Sequence, residues 1–281
     1  TMLNDFFKLN TPFETFDRAT LVSHLKTSKH ICNVLYEPDT FDKQKVSGIT
    51  FENVSFSKTT ISSVTFTECT FKDCLFIGTD FNSVEFHDCV FDNCNFFKSS
   101  FHSVYARPHQ FRKAITDTKY ANIAVHLYHQ LRENYYQESQ REYKNEAEYY
   151  FSHWHRKNEY IQAIRKKKKY YLYLPRHVAS YLYGYLLGYG YRIRNLVLTT
   201  IILLVVTTWA NYTFSAYLFS KPVEQSLVKT IYFTLTTMAT LGASGYDPDT
   251  EIGYLFVIVN VIFGISILSA TIGAVFKKVI R

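Results

Sequence analysis

Formal charge is absent from three stretches of this 281-residue chain, residues 196–214, 230–246 and 254–276. Absent too are the motifs of common enzyme chemistry: a Gly-rich loop that cradles phosphate, a nucleophile elbow, and any HExxH-like pair. No catalytic residue is nominated, and the chain does not read as an enzyme. An Arg-rich helix is missing as well, which excludes voltage sensing of the usual kind. Residues 1–20 contain no apolar core of the length a secretory signal needs, so the N-terminal two-thirds is expected to stay in the cytoplasm. Cysteine is scarce, with 5 residues, and a cytoplasmic setting keeps thiols reduced.

What is present is apolar length. The outer two uncharged runs hold 19 and 23 residues. Each is enough to cross a hydrocarbon core of about 30 Å at about 1.5 Å per residue. The middle run is broken by glycines and crowded with threonines, which is poor material for a lipid-facing helix. Non-helical backbone at membrane depth survives only where protein or a water-filled cavity surrounds it. A short descending helix with a Gly-rich return satisfies that rule, so the reading is a pore loop. Spans are expected at about 195–215 and 253–276, with pore helix and filter at about 228–246. Arg192 and Arg194 precede the first span, and Lys277, Lys278 and Arg281 follow the second. The loop between them carries Glu224, Asp247, Asp249 and Glu251 against Lys221 and Lys229. The positive-inside rule then puts both termini in the cytoplasm of a multi-pass inner (plasma) membrane protein.

These residues resemble the two-helix, pore-loop cation channels typified by bacterial potassium channels. In that family a filter Thr-Val-Gly-Tyr-Gly-Asp follows a pore helix and leads, through a proline, into an inner helix with a glycine hinge. Thr240-Leu241-Gly242-Ala243-Ser244-Gly245 takes the filter position here, Thr236 and Thr237 match pore-helix threonines, and Pro248, Gly253 and Gly264 follow without a gap. The resemblance covers roughly the last 90 residues. It implies four copies around one axis, with the carbonyls of Thr240, Leu241, Gly242 and Ala243 and the Thr240 hydroxyl replacing an ion's hydration shell. Pore-helix C-terminal ends favour cations, and Asp247, Asp249 and Glu251 at the outer mouth raise their local concentration. Gly264 becomes a gating hinge, with close packing against a neighbouring helix as the alternative. Leu268, Ile272 and Phe276 line the inner cavity, and Phe276 narrows its end. Two departures matter: Ala243 stands for the filter tyrosine and Ser244 for the second filter glycine. A left-handed Ser244 costs about 1–2 kcal/mol, so potassium-selective permeation and permeation of sodium as well both stay open.

The N-terminal half has a different rhythm. A large residue recurs every fifth position at Phe51, Phe56, Ile61, Phe66, Phe71, Phe76, Phe81, Phe86, Phe91, Phe96 and Phe101. Two positions before each lies a smaller one, among them Val54, Val64, Cys69, Cys74, Val84, Cys89 and Cys94. Period five fits neither a strand nor a helix. Fixed-period self-similarity means a solenoid. The pattern resembles pentapeptide-repeat proteins, which implies a right-handed quadrilateral β-helix with four repeats per coil and both large and small residues inside. Cys69/Cys89 and Cys74/Cys94 then stack on successive coils as packing residues. Some members of that family mimic DNA; attached membrane spans argue against that role, and no nucleic-acid partner is expected. Asn10 or Thr11 is the expected cap of a helix running to about Lys29 that covers one end of the solenoid.

Between the two halves, amphipathic helices are expected at 121–138 and 147–164, with Ala124, Leu127, Tyr128, Leu131 and Tyr135 inward on the first, and Ala147, Phe151, Trp154 and Ile161 on the second. His126 and His129 lie one turn apart without a further ligand at convincing spacing, so no metal site is nominated. Net charge is +7, and its densest run, Arg165, Lys166, Lys167, Lys168 and Lys169, is placed for anionic lipid headgroups or solvent. Pro175 breaks the helical run. The tyrosines at 181, 183, 185, 189 and 191 beyond it suit a membrane–water boundary.

The whole reads as a multidomain membrane protein: an N-terminal cap (1–45), a pentapeptide-repeat β-helix (46–106), a helical hairpin and interfacial linker (107–192), and a two-span pore domain (193–281). The function expected is a homotetrameric channel for monovalent cations, potassium and sodium being the candidates, with the repeats serving assembly or gating. Its gating stimulus, a ligand, a protein or membrane tension, is not legible. The rival reading is a membrane-anchored scaffold whose β-helix binds a protein partner.

Overall fold

The computed structural model describes residues 5–37, 39–166, 174–219, 226–241 and 248–279, and the chain divides into two units, Thr1–His177 and Val178–Arg281. Period five sets the architecture of the first. Its strands are β1 (Glu14–Phe16), β2 (His30–Tyr36), β3 (Thr40–Asp42), β4 (Lys45–Ser47), β5 (Thr50–Ser55), β6 (Thr60–Ser62), β7 (Thr65–Thr67), β8 (Thr70–Lys72), β9 (Asp80–Asn82), β10 (Glu85–His87), β11 (Val90–Asp92) and β12 (Ser100–His102). Every pairing between these strands is parallel, and each steps twenty residues, as in Glu14↔Val34, Thr50↔Thr70 and Val90↔Thr70. Three sheets result, in the orders β1-β2-β5-β8-β11, β10-β7-β4 and β12-β9-β6-β3. A fourth side continues from Leu35↔Ser55 through the single bridges Ser55↔Leu75 and Leu75↔Asn95. Four sides of five residues make one coil of a square tube.

Corners and core explain why the chain turns every fifth residue. Each corner residue takes a left-handed backbone, among them Lys43 (φ 52°), Asn53 (φ 54°), Ser63 (φ 53°), Asp73 (φ 53°), Asp88 (φ 52°) and Ser103 (φ 51°). Among the described residues no corner residue is β-branched, the class for which that region is least accessible. Where a further coil follows, corner N–H groups reach it, as Ser63 N donates to Asn82 O at 3.0 Å and Glu68 N to His87 O at 2.8 Å. Inside, the phenylalanines stack coil on coil. Phe51, Phe71, Phe91 and Phe111 form one column with centroids 5.0, 4.9 and 4.6 Å apart and planes within 8°. Phe56, Phe76 and Phe96 form another at 5.7 and 4.9 Å. Each buried ring contributes about 1.5–3 kcal/mol, so the tube is held by its columns as much as by its ladders.

Two expectations for this unit need correction. The coil is already running at His30, which pairs with Thr50, and Ile31, Tyr36, Phe41 and Val46 are buried in the tube. The segment expected as a cap therefore supplies the first coil. Asp39 and Gln44 occupy the small-residue slots before Phe41 and Val46, which hides the period there. The helix α1 (Arg18–Thr27) starts later than expected and is capped by Asp17, whose Oδ1 accepts from Thr20 N at 2.8 Å. Residues 14–16 pair with β2 as a strand and cannot join a helix. Asn10 docks on the corner residue Asn53 instead, through bonds of 2.9 and 3.0 Å.

The far end of the tube is closed by α2 (Ala121–Gln137) and α3 (Arg141–Arg165). Ala124, Leu127, Tyr128, Leu131 and Tyr135 are buried, and Tyr128 stacks on Tyr150 at 5.0 Å. α3 starts six residues before the expected 147, because Tyr143 packs against Tyr135 and Tyr105. Side chains here replace the coil that no longer follows. Asn134 both donates to and accepts from the Val104 backbone at 2.8 Å, Tyr135 Oη donates to Ala106 O at 2.6 Å, and His126 Nε2 sits 2.9 Å from Ser99 O. An open sheet edge is thereby given partners.

After α4 (Leu174–Leu187) comes a one-turn 3-10 helix, Gly188–Gly190, and then three helices. These are α5 (Ile193–Leu218), α6 (Leu227–Met238) and α7 (Glu251–Val279). Pro175 falls in the first turn of α4, where its missing N–H is harmless. Tyr181, Tyr183 and Tyr185 are exposed, but Tyr189 is buried against Gly184, where a Cβ would lie 2.4 Å from its ring. Tyr189 is thus a packing residue of the turn and not a boundary residue. α5 and α7 are long and apolar enough to cross a membrane over Ile193–Phe214 and Glu251–Phe276.

Candidate functional site

The second unit has a short helix held between two long ones. Thr230, Phe233, Thr234, Thr236 and Thr237 form the buried face of α6. Three threonine hydroxyls on that face need no water, because they donate to carbonyls one turn back. Thr230 reaches Ser226 O at 3.1 Å, Thr234 reaches Thr230 O at 2.9 Å, and Thr236 reaches Tyr232 O at 2.9 Å. α6 ends in a paired cap: Leu241 N donates to Thr236 O at 2.9 Å and Thr240 N to Thr237 O at 3.1 Å. That motif needs a left-handed residue after the cap, a place glycine usually takes. Thr240 fills it at φ 58°. For a β-branched residue this costs about 1–2 kcal/mol, so the chain leaves α6 by a strained turn.

Of the expected filter, Thr240 and Leu241 are described and Gly242, Ala243 and Ser244 lie outside the described residues, as does Asp247 at the mouth. Thr240 is exposed, and its hydroxyl donates to Ala239 O at 2.7 Å. Leu241 is exposed as well. Thr236 and Thr237 are buried in α6. Asp249 and Glu251 are exposed at the start of α7, where Thr250 caps the helix by accepting from Gly253 N at 3.0 Å. That start is pinned to the end of α5 by the bridge Phe219↔Pro248 and by Thr250 Oγ1 donating to Tyr217 O at 3.3 Å. Phe219 meets Phe233 edge-on at 5.1 Å, which adds α6 to the same corner.

Gly264 faces the end of α6. A Cβ built there would stand 2.0 Å from Met238 O, a backbone atom that cannot step aside. α7 runs unbroken through this point. Leu268, Ile272 and Phe276 follow at four-residue spacing and are exposed, at 59%, 47% and 55%. Only 17% of the first span and 11% of the second are buried within the chain. Other chains or lipid must therefore cover the rest.

Sequence reasoning missed three buried polar residues. Asn211 (0% exposed) on α5, Thr234 (0%) on α6 and Asn260 (1%) on α7 meet one another. Asn211 Nδ2 donates to Thr234 Oγ1 at 2.8 Å, and Asn260 Nδ2 to Asn211 Oδ1 at 3.5 Å. The signal was available, since each asparagine is the lone amide in its uncharged run.

Elsewhere, His129 Nδ1 accepts from Arg132 Nε at 3.1 Å, and His126 is the coil cap described above. Among the described residues no group of three His, Cys, Asp or Glu side chains could hold a metal. Arg165 and Lys166 are exposed, and Arg165 Nη2 donates to Lys119 O at 3.3 Å; Lys167, Lys168 and Lys169 lie outside the described residues.

Comparison with known proteins agrees with this division. A family model described as ion channel matches residues 196–281. A second, for pentapeptide repeats, matches residues 62–97 with 8 copies. Among solved structures, a trypsin-treated form of QnrB1, a plasmid-mediated fluoroquinolone resistance protein, is similar at 20% identity, with a TM-score of 0.13. The match covers 28% of this chain and 46% of that one, so it spans less than half the length of that protein. No curated protein matches the chain.

Proposed function

We propose that this chain, in which pentapeptide repeats and a pore-loop ion channel domain occur together, is one subunit of a homotetrameric channel for monovalent cations. The observation that carries the reading is α6, a 12-residue helix too short to span a membrane. It packs against both spans, is hydrogen-bonded to the first through Asn211 and Thr234, and ends in a strained turn at Thr240. A lone copy of this arrangement encloses no aqueous path; four copies about an axis do.

The roles follow from electrostatics. Carbonyls of Thr240, Leu241, Gly242 and Ala243, followed by Ser244, replace the ion's hydration shell. The C-terminal ends of four α6 helices aim partial negative charge at the axis, which selects cations. Asp247, Asp249 and Glu251 at the outer mouth concentrate them. Leu268, Ile272 and Phe276 line the inner cavity. Ala243 and Ser244, in place of the family's tyrosine and glycine, favour a softer filter that passes sodium beside potassium. Both termini lie in the cytoplasm of a plasma or inner membrane. There the repeat domain serves assembly or gating in response to a ligand or protein, and the basic run from Arg165 to Lys169 meets anionic headgroups.

Bi-ionic reversal potentials on protein reconstituted into planar bilayers test the proposal. Cation currents with chloride excluded are expected, and the potassium-to-sodium ratio settles selectivity. Protein that passes neither ion under any bath condition would leave a membrane-anchored scaffold as the surviving account.

A further inference from the structure

An amide in hydrocarbon is costly unless its hydrogen bonds are made. Asn211 and Asn260 nevertheless stand within the two spans and are fully buried. With Thr234 they form a single chain of hydrogen bonds. It starts at Asn260 on α7, passes through Asn211 on α5, and reaches the Thr234 hydroxyl on α6, which donates onward to Thr230 O at 2.9 Å. One turn further along both helices, Gly264 lets α7 meet the Met238 carbonyl directly. Thr234 and Met238 are four residues apart on α6, as are Asn260 and Gly264 on α7. Two successive contacts therefore set α6 against α7, one through a bridging amide and one by close backbone approach.

We infer that Asn211, Thr234 and Asn260 are positioning residues of the ion pathway, fixing the rotation and depth of α6 and so the place of the Thr240 turn that leaves it. This rests on the channel reading above. Three apolar side chains would hold these helices together as well, since packing is what associates helices in lipid. Hydrogen-bonded amides do something further. A slip of α6 by one residue leaves buried amide groups unpaired, so only one placement is fully satisfied. The same chain ties the first turns of α7 to α6, and movement there is passed to the filter end.

The test uses the full chain in planar bilayers, with bi-ionic potassium/sodium reversal potentials and single-channel open probability as readouts. Thr234→Val keeps the shape and removes the hydroxyl; Asn211→Leu removes the bridge; Thr234→Ser keeps the hydroxyl. Thr234→Val is expected to change the permeability ratio or the open–closed equilibrium by about fivefold, the worth of one buried hydrogen bond, and Asn211→Leu by at least as much, since it removes the bonds to both Thr234 and Asn260. The double variant is expected to match the larger single effect, because both remove the same bond. Thr234→Ser is expected to behave as wild type. Conducting Thr234→Val and Asn211→Leu channels with wild-type ratio and gating would overturn the inference, as would additive effects in the double variant. If Asn211→Leu fails to assemble, the contrast between Thr234→Val and Thr234→Ser decides. A wild-type protein that carries no current overturns the channel reading itself, an outcome distinct from a conducting wild type with unaltered variants.

Discussion

Cys69, Cys74, Cys89 and Cys94 are buried in the tube, whereas Cys32 is exposed. Each buried sulfur donates to a carbonyl of the neighbouring coil, as Cys94 Sγ does to Phe71 O at 3.3 Å. Burial, and after it the hydrogen bond with Cys74, pushes the Cys94 thiol well above the usual thiol range, so a mildly alkaline bath does not produce its reactive thiolate. A maleimide is expected to label Cys32 alone in the native protein and all 5 cysteines after denaturation, read as intact mass. Phe71 is an inner ring of its column, with neighbours at 5.0 and 4.9 Å. Phe71→Ala removes both contacts and is expected to destabilise the repeat unit by about 3–5 kcal/mol, read from its denaturation midpoint. Gly264→Ala acts through space alone. Its methyl must displace Met238 O, so about 1–3 kcal/mol of assembly stability is expected to be lost, with an altered permeability ratio in whatever channels form. An unchanged ratio would mean that the end of α6 is not part of the ion path.

The closing elements of the tube make a prediction of their own. Asn134 bonds both backbone groups of Val104 and is 1% exposed. Asn134→Leu leaves a buried N–H and a buried C=O without partners, a loss of about 1–3 kcal/mol for each group. Hydrogen exchange in residues 99–106 is expected to quicken before that at β7 and β8, because α2 guards only the last coil. The repeat itself was legible because one side-chain slot recurs at a fixed step, and nothing but a coil of that period buries all of them. Its first coil was not, since Asp39 and Gln44 break the small-residue slot while the backbone continues. α1 was placed too early because Asn10 and Thr11 have capping side chains, yet a three-residue strand at Glu14–Phe16 claims the intervening chain. The spans were legible from the absence of charge, and the short helix between them from the glycines and threonines of the uncharged middle run. Asn211 and Asn260 were passed over because hydropathy averages over a window, and one amide among some twenty apolar residues barely moves the mean. Burial and partners, which the window cannot see, give them their meaning.

For the whole molecule the governing fact is incompleteness. Ile201, Ile202, Val205, Val206 and Trp209 on α5 and Leu255, Ile258, Ile262, Leu268 and Ile272 on α7 are exposed in the isolated chain. Lipid can satisfy such faces; in the channel proposed above, copies of the same chain cover part of them. Native mass measured in nanodiscs is therefore expected at four times the 32.9 kDa of one chain. The outer mouth then gives a test that separates a cation path from a passive anchor. Asp249 and Glu251 are exposed, and in the proposed tetramer each subunit would add these two carboxylates near the entrance. Their effect on permeant ions is a field in water, screened over about 8 Å at physiological salt and about 3 Å at 1 M. The double variant Asp249→Asn, Glu251→Gln is expected to lower single-channel conductance at low salt by about twofold or more, and to leave it unchanged near 1 M. Equal conductance at both salt levels would place these residues away from the ion's route, and with them the approach to Thr240.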